Sequence, residues 1–281
     1  MDDILLEHSA SDIVQALESN LQAHVWLYAG LPGANICDEP GVVGLMTDLD
    51  ISESCVYWAN LPPDQANQKI EQVWQHYHSQ GCLPMWWIVG PSTQPTDLGN
   101  RLEAQGFQCI AHPPGMAALL EKLEKQTVLP GLFAVERVSN SSQLKQWTEI
   151  VGIADGIPRA LEKGFYEVFE NNGYGAQAAC QLFLGMEDGK PVATSRLFCA
   201  GGVAGIYHVA TLPESRGKGY GTAMTLAAAR AGYDLGYQIG VLFATTAGYS
   251  LYRRLGYQQY CQLDVFKSPD IKREKYHEYP T

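Results

Sequence analysis

Three local patterns predict a mixed α/β fold for this chain. An apolar, strand-like run at 205–211 leads into the glycine-rich hexapeptide Arg216-Gly217-Lys218-Gly219-Tyr220-Gly221, and an alanine-rich stretch of helix-favouring composition follows at 222–235. Two strand-like runs, 179–187 and 191–199, flank Asp188-Gly189 and read as a hairpin. Strand-like and helical patterns also alternate through the first 120 residues.

Taken in order, residues 10–22 read as a helix and 42–47 and 55–59 as strands. Residues 63–80 read as a helix following Pro62-Pro63, and 85–89 as a strand that Gly90-Pro91-Ser92 breaks. A helix spans 97–105 up to Gly106, and 107–120 is strand-like around Gly115. Pro130-Gly131 punctuates a linker at 124–131, which divides the chain into domains 1–126 and 127–281. Beyond it come a strand at 132–138, helices at 141–154 and 158–171, the hairpin, the 205–211 strand, the glycine loop with its helix, and a buried strand at 241–244.

The chain has 281 residues, 46% hydrophobic and 17% charged, enough for two modest domains. No apolar run reaches the roughly 20 residues of a membrane span. The acidic start, Met1-Asp2-Asp3, is unlike a secretory signal, so a cytoplasmic location is expected. The seven cysteines are scattered without a C-x-x-C pair, which favours reduced, buried thiols over disulfides or zinc; no metal is expected. Net charge is -11, and it is unevenly distributed. Residues 1–125 hold 4 basic against 16 acidic side chains, and 126–281 hold 15 against 14. Within 210–257, Arg216, Lys218, Arg230, Arg253 and Arg254 outnumber Glu214 and Asp234, an excess suited to a multiply anionic ligand. No dense basic stripe marks a nucleic-acid partner.

Three glycines in five positions leave backbone N–H groups exposed at the start of a helix, which suits a diphosphate. No Lys-Ser or Lys-Thr closes the loop, which excludes the nucleoside-triphosphate pattern. Thr222 occupies the third glycine position of the dinucleotide fingerprint, and Asp234 is a poor match for its ribose-binding acid. The loop instead resembles the acyl-coenzyme A loop [QR]-x-x-G-x-[GA] of the GCN5-related N-acetyltransferases (GNAT), through Arg216, Gly219 and Gly221. Val209-Ala210-Thr211-Leu212-Pro213-Glu214 is similar to the end of that family's fourth strand, and Leu251-Tyr252-Arg253-Arg254-Leu255-Gly256-Tyr257 to its L-Y-x-x-[LM]-G-[FY] helix end. The resemblance covers about residues 130–265 and implies an acyl-CoA N-acyltransferase fold.

The first half echoes the second. Ala59-Asn60-Leu61-Pro62 repeats as Ala210-Thr211-Leu212-Pro213 at an offset of 151, and Gly106-Phe107-Gln108 as Gly256-Tyr257-Gln258 at 150. Residues 65–70 lack every loop glycine, so the first half is expected to be a degenerate GNAT-like domain that binds no cofactor. The alternative is an unrelated small α/β domain.

By resemblance, acetyl-CoA is the co-substrate. Its pantetheine arm is expected on the backbone of Val209, Ala210 and Thr211, at a bulge of the fourth strand. Its diphosphate is expected on Arg216, Gly217, Lys218, Gly219, Tyr220, Gly221 and Thr222. Tyr252 falls at the family's general-acid tyrosine, whose phenol protonates the departing thiolate. No acid stands on 203–211 or 240–244, so His208 is the candidate base, with deprotonation through water as the default. Strand alternation puts His208 and Ala210 on one side and Val209 and Thr211 on the other. Asp155, Glu167 and Glu170 are positioned to attract a cationic amine or simply to solvate helix faces. The reading is an N-acetyltransferase acting on a primary amine of a small molecule or peptide; the alternative is a non-catalytic acyl-CoA sensor. A homodimer is compatible with either.

Overall fold

The computed structural model describes residues 4–5, 9–29, 31–47, 54–123, 132–155, 162–175 and 180–269. Helix α1 (Ala10–Gln22) opens on a capping box in which Ser9 and Asp12 each satisfy the other's amide. The first half continues with β1 (Ala34–Glu39), β2 (Val42–Thr47), β3 (Cys55–Ala59), α2 (Ala66–Ser79), β4 (Trp86–Val89), α3 (Leu98–Ala104), β5 (Gln108–Ala111) and β6 (Pro114–Leu119). The second comprises β7 (Phe133–Arg137), α4 (Ser141–Asp155), α5 (Glu162–Asn172), β8 (Cys180–Glu187), β9 (Lys190–Ala200), β10 (Val203–Thr211), α6 (Tyr220–Asp234), β11 (Ile239–Phe243), α7 (Thr246–Leu255), β12 (Gln258–Gln262) and β13 (Asp264–Lys267). Among the described residues no helix is long and apolar enough to cross a membrane.

The segment expected as one strand at 107–120 is two, because Pro113 and Pro114 offer no amide hydrogens to continue a ladder. The two pieces join different sheets. A six-stranded sheet runs β1-β2-β3-β4-β13-β5, and a seven-stranded sheet runs β12-β6-β11-β10-β9-β8-β7. Each half therefore donates one strand to the sheet of the other. Strand β6 lies between β11 and β12, while β13 lies between β4 and β5. The expected division at 126/127 falls among residues outside those described.

With that exchange, the two sheets have matching strand order. In both, one parallel pair stands among antiparallel neighbours: β3 with β4 (Cys55↔Trp86, Val56↔Trp87) and β10 with β11 (Ala204↔Gly240, Gly205↔Val241). Both also carry a bulge at the same place. The β2–β3 register shifts between Val43 and Gly44, leaving Tyr57 as the extra residue. The β9–β10 register shifts between Tyr207 and Ala210, leaving His208 and Val209 together opposite Ser195, about 151 positions later.

The core follows the sheets. Helix α6 covers one face of the larger sheet through Tyr220, Met224, Ala228 and Ala231. Helices α4 and α5 and the turn after α1 cover the other, around Trp147, Phe169, Val25 and Leu27. Exchanged strand β13 contributes Phe266 to the first-half core with Trp87, Leu98, Leu102 and Phe107. Ser268 prolongs the pairing, its amide donating to Met85 O at 2.9 Å and its hydroxyl accepting from Met85 N at 3.1 Å. Phe266→Ala is expected to cost about 3–5 kcal/mol, the range for emptying a buried aromatic site. Urea unfolding of the full chain measures it, and an unchanged midpoint would mean that β13 is peripheral.

Candidate active site

The site is built where β10 and β11 part. Their parallel pairing ends at Gly205↔Val241, so the edge of β10 beyond Gly205 faces β11 without ladder bonds to it. The bulge then turns the backbone at His208, whose φ of 46° lies in the left-handed region, strained for a non-glycine residue. Two interactions hold that turn. Thr194 Oγ1 donates to His208 O at 2.9 Å, and the Trp147 indole N–H donates to Ser195 O at 3.2 Å with its ring edge-on to His208. His208 and Val209 point to opposite sides, while the bulge puts Tyr207 on the same side as His208. Consecutive Tyr207 and His208 pack against the cluster around Trp147, and Val209 packs against the opposite cluster beneath α6.

Downstream, Gly217 (φ 79°) and Gly219 (φ 87°) allow the loop to turn sharply into α6. Gly219 is the N-cap and supplies no side chain, leaving the first helical N–H groups open. The loop is pinned from below by Glu187, a residue the sequence did not single out. Its carboxylate accepts from Lys218 Nζ at 2.6 Å, Tyr220 Oη at 2.6 Å and Ser215 Oγ at 3.0 Å. The Lys218 ammonium, followed by the two hydroxyls, holds the Glu187 carboxyl down at about 2, and the same bond pushes the Tyr220 phenol up to about 12.

Helix α7 closes the other side. Thr245 Oγ1 accepts from Gly248 N at 3.1 Å as N-cap, and Gly256 (φ 105°) ends the helix. Between these parts lies a cavity of about 770 Å³. Its walls include Val209, Ala210 and Thr211 from β10, Arg216, Gly217, Gly219, Tyr220, Gly221 and Thr222 from the loop, and Thr245, Gly248, Tyr252 and Arg254 from α7. Lys218 and His208 are not among its lining residues. Lys218 is spent on Glu187, and Arg254, which the sequence offered only as part of a basic excess, lines the wall in its stead. No Asp or Glu lines the cavity among the described residues. An open strand edge, free helix N–H groups and two guanidinium groups form a donor set that fits a pantetheine arm and its diphosphate. Burial pushes the Tyr252 phenol up to about 12, so it carries its proton throughout the physiological range.

Behind the bulge lies a buried polar cluster. Arg196, 4% exposed, projects among Phe169, Phe198 and Tyr207, whose ring centroids lie 5.6, 5.9 and 4.9 Å from its guanidinium carbon. It pairs with no carboxylate among the described residues, and its Nε has no hydrogen-bond partner. Its Nη2 meets His24 Nε2. The other ring nitrogen of His24 is 3.1 Å from the Asn20 and Leu21 carbonyls, so Nδ1 holds the hydrogen and Nε2 accepts from Arg196. Burial, then Arg196, hold His24 well below the usual imidazole range; burial, Arg196 and His24 do the same to His208. Asn20 completes the cluster by accepting from Tyr207 Oη at 2.6 Å. Of the acids expected near an amine, Glu170 accepts from Ser141 and Tyr174, Glu167 pairs with Lys163, and the Asp155 side chain is outside the described residues.

The matching region of the first half is closed. Gln94 N donates to Ala59 O at 3.0 Å and Leu61 N to Gln94 O at 2.9 Å, so backbone bridges the gap between β3 and β4. At the start of α2, Arg101 bonds to Pro63 O and Gln105 to Asn67 O. Backbone and side chains occupy what would be a second cradle.

A family model for the acetyltransferase (GNAT) domain matches residues 178–259. Among solved structures, the chain is similar to a GCN5-related N-acetyltransferase from Kribbella flavida, at 20% identity and TM-score 0.70, over 90% of this chain and 96% of that one. A GCN5-related N-acetyltransferase from Sphaerobacter thermophilus is 14% identical, with TM-score 0.62 and 93% of each chain covered. A tandem GNAT protein from the clavulanic acid biosynthesis pathway is 13% identical, with TM-score 0.58 over 92% of this chain and 93% of that one. No curated protein matches the sequence. At these identities the structural likeness establishes the fold: two GNAT-like domains in tandem.

Two predictions rest on this geometry. Gly219→Asp should abolish coenzyme A binding, because a carboxylate would stand where amide hydrogens converge; calorimetry on the unaltered chain should give one equivalent, and two would mean that the first half also binds. The second concerns acid stability. His24 and His208 have folded values lowered from 6.5, so the unfolded chain binds protons that the fold refuses. Stability is then unaffected above pH 6.5 and falls as the pH drops below it. The urea midpoint should decline less steeply with acid in His208→Gln, and an identical decline would mean that His208 protonates freely in the fold.

Proposed function

Since residues 178–259 form an acetyltransferase (GNAT) domain, we propose that this protein transfers an acetyl group from acetyl-CoA to a primary amine of a small molecule or peptide by direct attack. The observation that carries the reading is the single cavity shared by the bulged strand, the glycine loop and Tyr252. In this reading the backbone of Val209, Ala210 and Thr211 holds the pantetheine arm, and the N–H groups of 217–222 with Arg216 and Arg254 hold the diphosphate. Domain 127–281 carries the chemistry and 1–126 supports it.

The nucleophile must be a neutral amine, whereas an alkyl ammonium has a pKa near ~10.4 in water. Arg196 bears on this requirement. Burial first and its charge second hold His208 and His24 low, and the same surroundings disfavour an ammonium brought up to the bulge. Water then removes the residual proton without a dedicated carboxylate or imidazole base. The amine nitrogen bonds to the thioester carbon, the C–S bond breaks with its electron pair leaving on sulfur, and the nitrogen, now cationic, gives up a proton through water to solvent or to the thiolate. A phenol at about 12 gives its proton to a thiolate of pKa near ~8.5 only uphill, so Tyr252 stabilises the departing sulfur chiefly as a hydrogen-bond donor. One observation favours a second reading, a non-catalytic acyl-CoA sensor: the described lining contains no acid to act as base.

Purified protein tested against a panel of amines with acetyl-CoA, read as free-thiol release, separates the readings; coenzyme binding without thiol release on any amine would favour the sensor. Tyr252→Phe should keep coenzyme affinity and lower kcat by ~10² or more. Because the Tyr252 phenol stays protonated up to about 12, kcat should show no alkaline fall below pH ~10. A falling limb near pH 9 that vanishes in Tyr252→Phe would mean that the phenol titrates normally. His208→Ala should cost little activity, and a large loss would make it the base.

A further inference from the structure

On the side of the six-stranded sheet formed by strand exchange, three side chains meet that play no part in acyl transfer. Cys109 belongs to β5, His112 follows it in the loop before β6, and Asp264 begins β13. Asp264 arrives from 152 residues away because β13 pairs with β5, and the register shift between Val265 and Phe266 sets its approach. One ligand atom from each of the three lies within 4.8 Å of the others. We propose that these residues form a binding site for a borderline-soft divalent ion of the zinc class, with Cys109 Sγ and His112 Nε2 as ligands and Asp264 as the carboxylate that orients the imidazole.

The distances carry this assignment. Asp264 Oδ1 lies 2.7 Å from His112 Nδ1, a hydrogen bond that fixes the proton on Nδ1 and leaves the lone pair on Nε2. Cys109 Sγ lies 3.8 Å from His112 Nε2. A tetrahedral ion bonded to one sulfur and one imidazole nitrogen holds those two atoms about 3.6 Å apart. The separation is that of two ligands on one ion. Because the sulfur here lies level with both ring nitrogens, binding requires the exposed His112 ring to turn on its bond to Asp264 and aim the Nε2 lone pair at the shared ion, with the remaining coordination positions open to water. Sulfur and imidazole together select zinc-class ions over magnesium or calcium. Asp264 and Glu103 both set negative charge near the thiol, and the first half of the chain is strongly acidic, so a cation is drawn to this edge. On binding, the S–H bond of Cys109 breaks, the proton passes to solvent and the sulfur donates its pair to the ion. A nucleophilic Cys-His-Asp triad is the competing use of the same atoms. It is disfavoured, because the thiol donates towards Ala111 O and the carboxylates of Asp264 and Glu103 nearby oppose a free thiolate, whereas a bound cation neutralises it.

No C-x-x-C pair announces this site, since its third member is distant in sequence. Cobalt(II) added to the full-length protein tests it, because a thiolate ligand gives a charge-transfer band in the near ultraviolet. The band is expected with the unaltered chain, lost in Cys109→Ser and in His112→Gln, and weakened about 10-fold or more in affinity in Asp264→Asn. Zinc should compete the band away and raise the thermal midpoint on the order of a few degrees, a rise that Cys109→Ser abolishes. Absence of the band, or a band unchanged in His112→Gln with normal folding by circular dichroism, overturns the proposal. So does rapid alkylation of Cys109 that zinc fails to slow, which would assign the three residues to a nucleophile.

Discussion

The exchange of β6 and β13 is the constraint on which the rest of the molecule depends. Strand β6 pairs on one side with β11 and on the other with β12. Without it, β11 would pair only with the short stretch of β10 before the splay, and a strand bordering the cavity would become a mobile edge. The six-stranded sheet has the reciprocal dependence, because β4 and β5 reach each other only through β13. Neither half can complete its sheet from its own described strands. Folding of either half is therefore coupled to the other, and the first half contributes to the candidate site by holding β11, the strand that β10 parts from, in place.

The two copies share a bulge but not its use, and the difference is physical. In β10 the extra residue sits beside a parted neighbour strand, with glycines and helix N–H groups beyond it. In β3 the gap beyond the bulge is bridged by Gln94, and the helix that follows begins at Gln65 without a glycine loop. The bulge survives in both because it belongs to the twist of the sheet; the cradle survives where the loop keeps φ > 0 positions. The tandem fold offers two frames, and one of them is open.

How much was legible in the sequence follows from the range of the interaction involved. The glycine loop, the Asp188-Gly189 hairpin and the end of α7 at Gly256 are set by backbone geometry at single positions, and the sequence marks them directly. The repeated Ala-x-Leu-Pro and Gly-aromatic-Gln segments also carried the tandem architecture. Hidden from the sequence was what depends on distant partners. Strand β13 is four residues long and was not expected, because its pairing with β4 and β5 leaves no periodic signature. Strands β5 and β6 were read as one, although Pro113-Pro114 gave a local reason to separate them. The bulge that sets Tyr207 and His208 on one side left no mark in the sequence, because it shifts phase without changing composition. Glu187 and Arg196 were not singled out, because their partners, Lys218 and Tyr220 for the one and His24 for the other, are distant in sequence.

Arg196 is where the fold and the chemistry meet. A buried guanidinium without a carboxylate is costly, and the structure repays only part of the cost with aromatic faces and one imidazole lone pair. A carboxylate there would be the simpler way to stabilise the fold. It would also cancel the positive charge that, after burial, helps hold His208 well below the usual imidazole range. Asn20 and His24, both from the first half, satisfy this cluster with neutral groups alone. The otherwise acidic first half thus contributes polarity without negative charge beside the bulge that borders the candidate site.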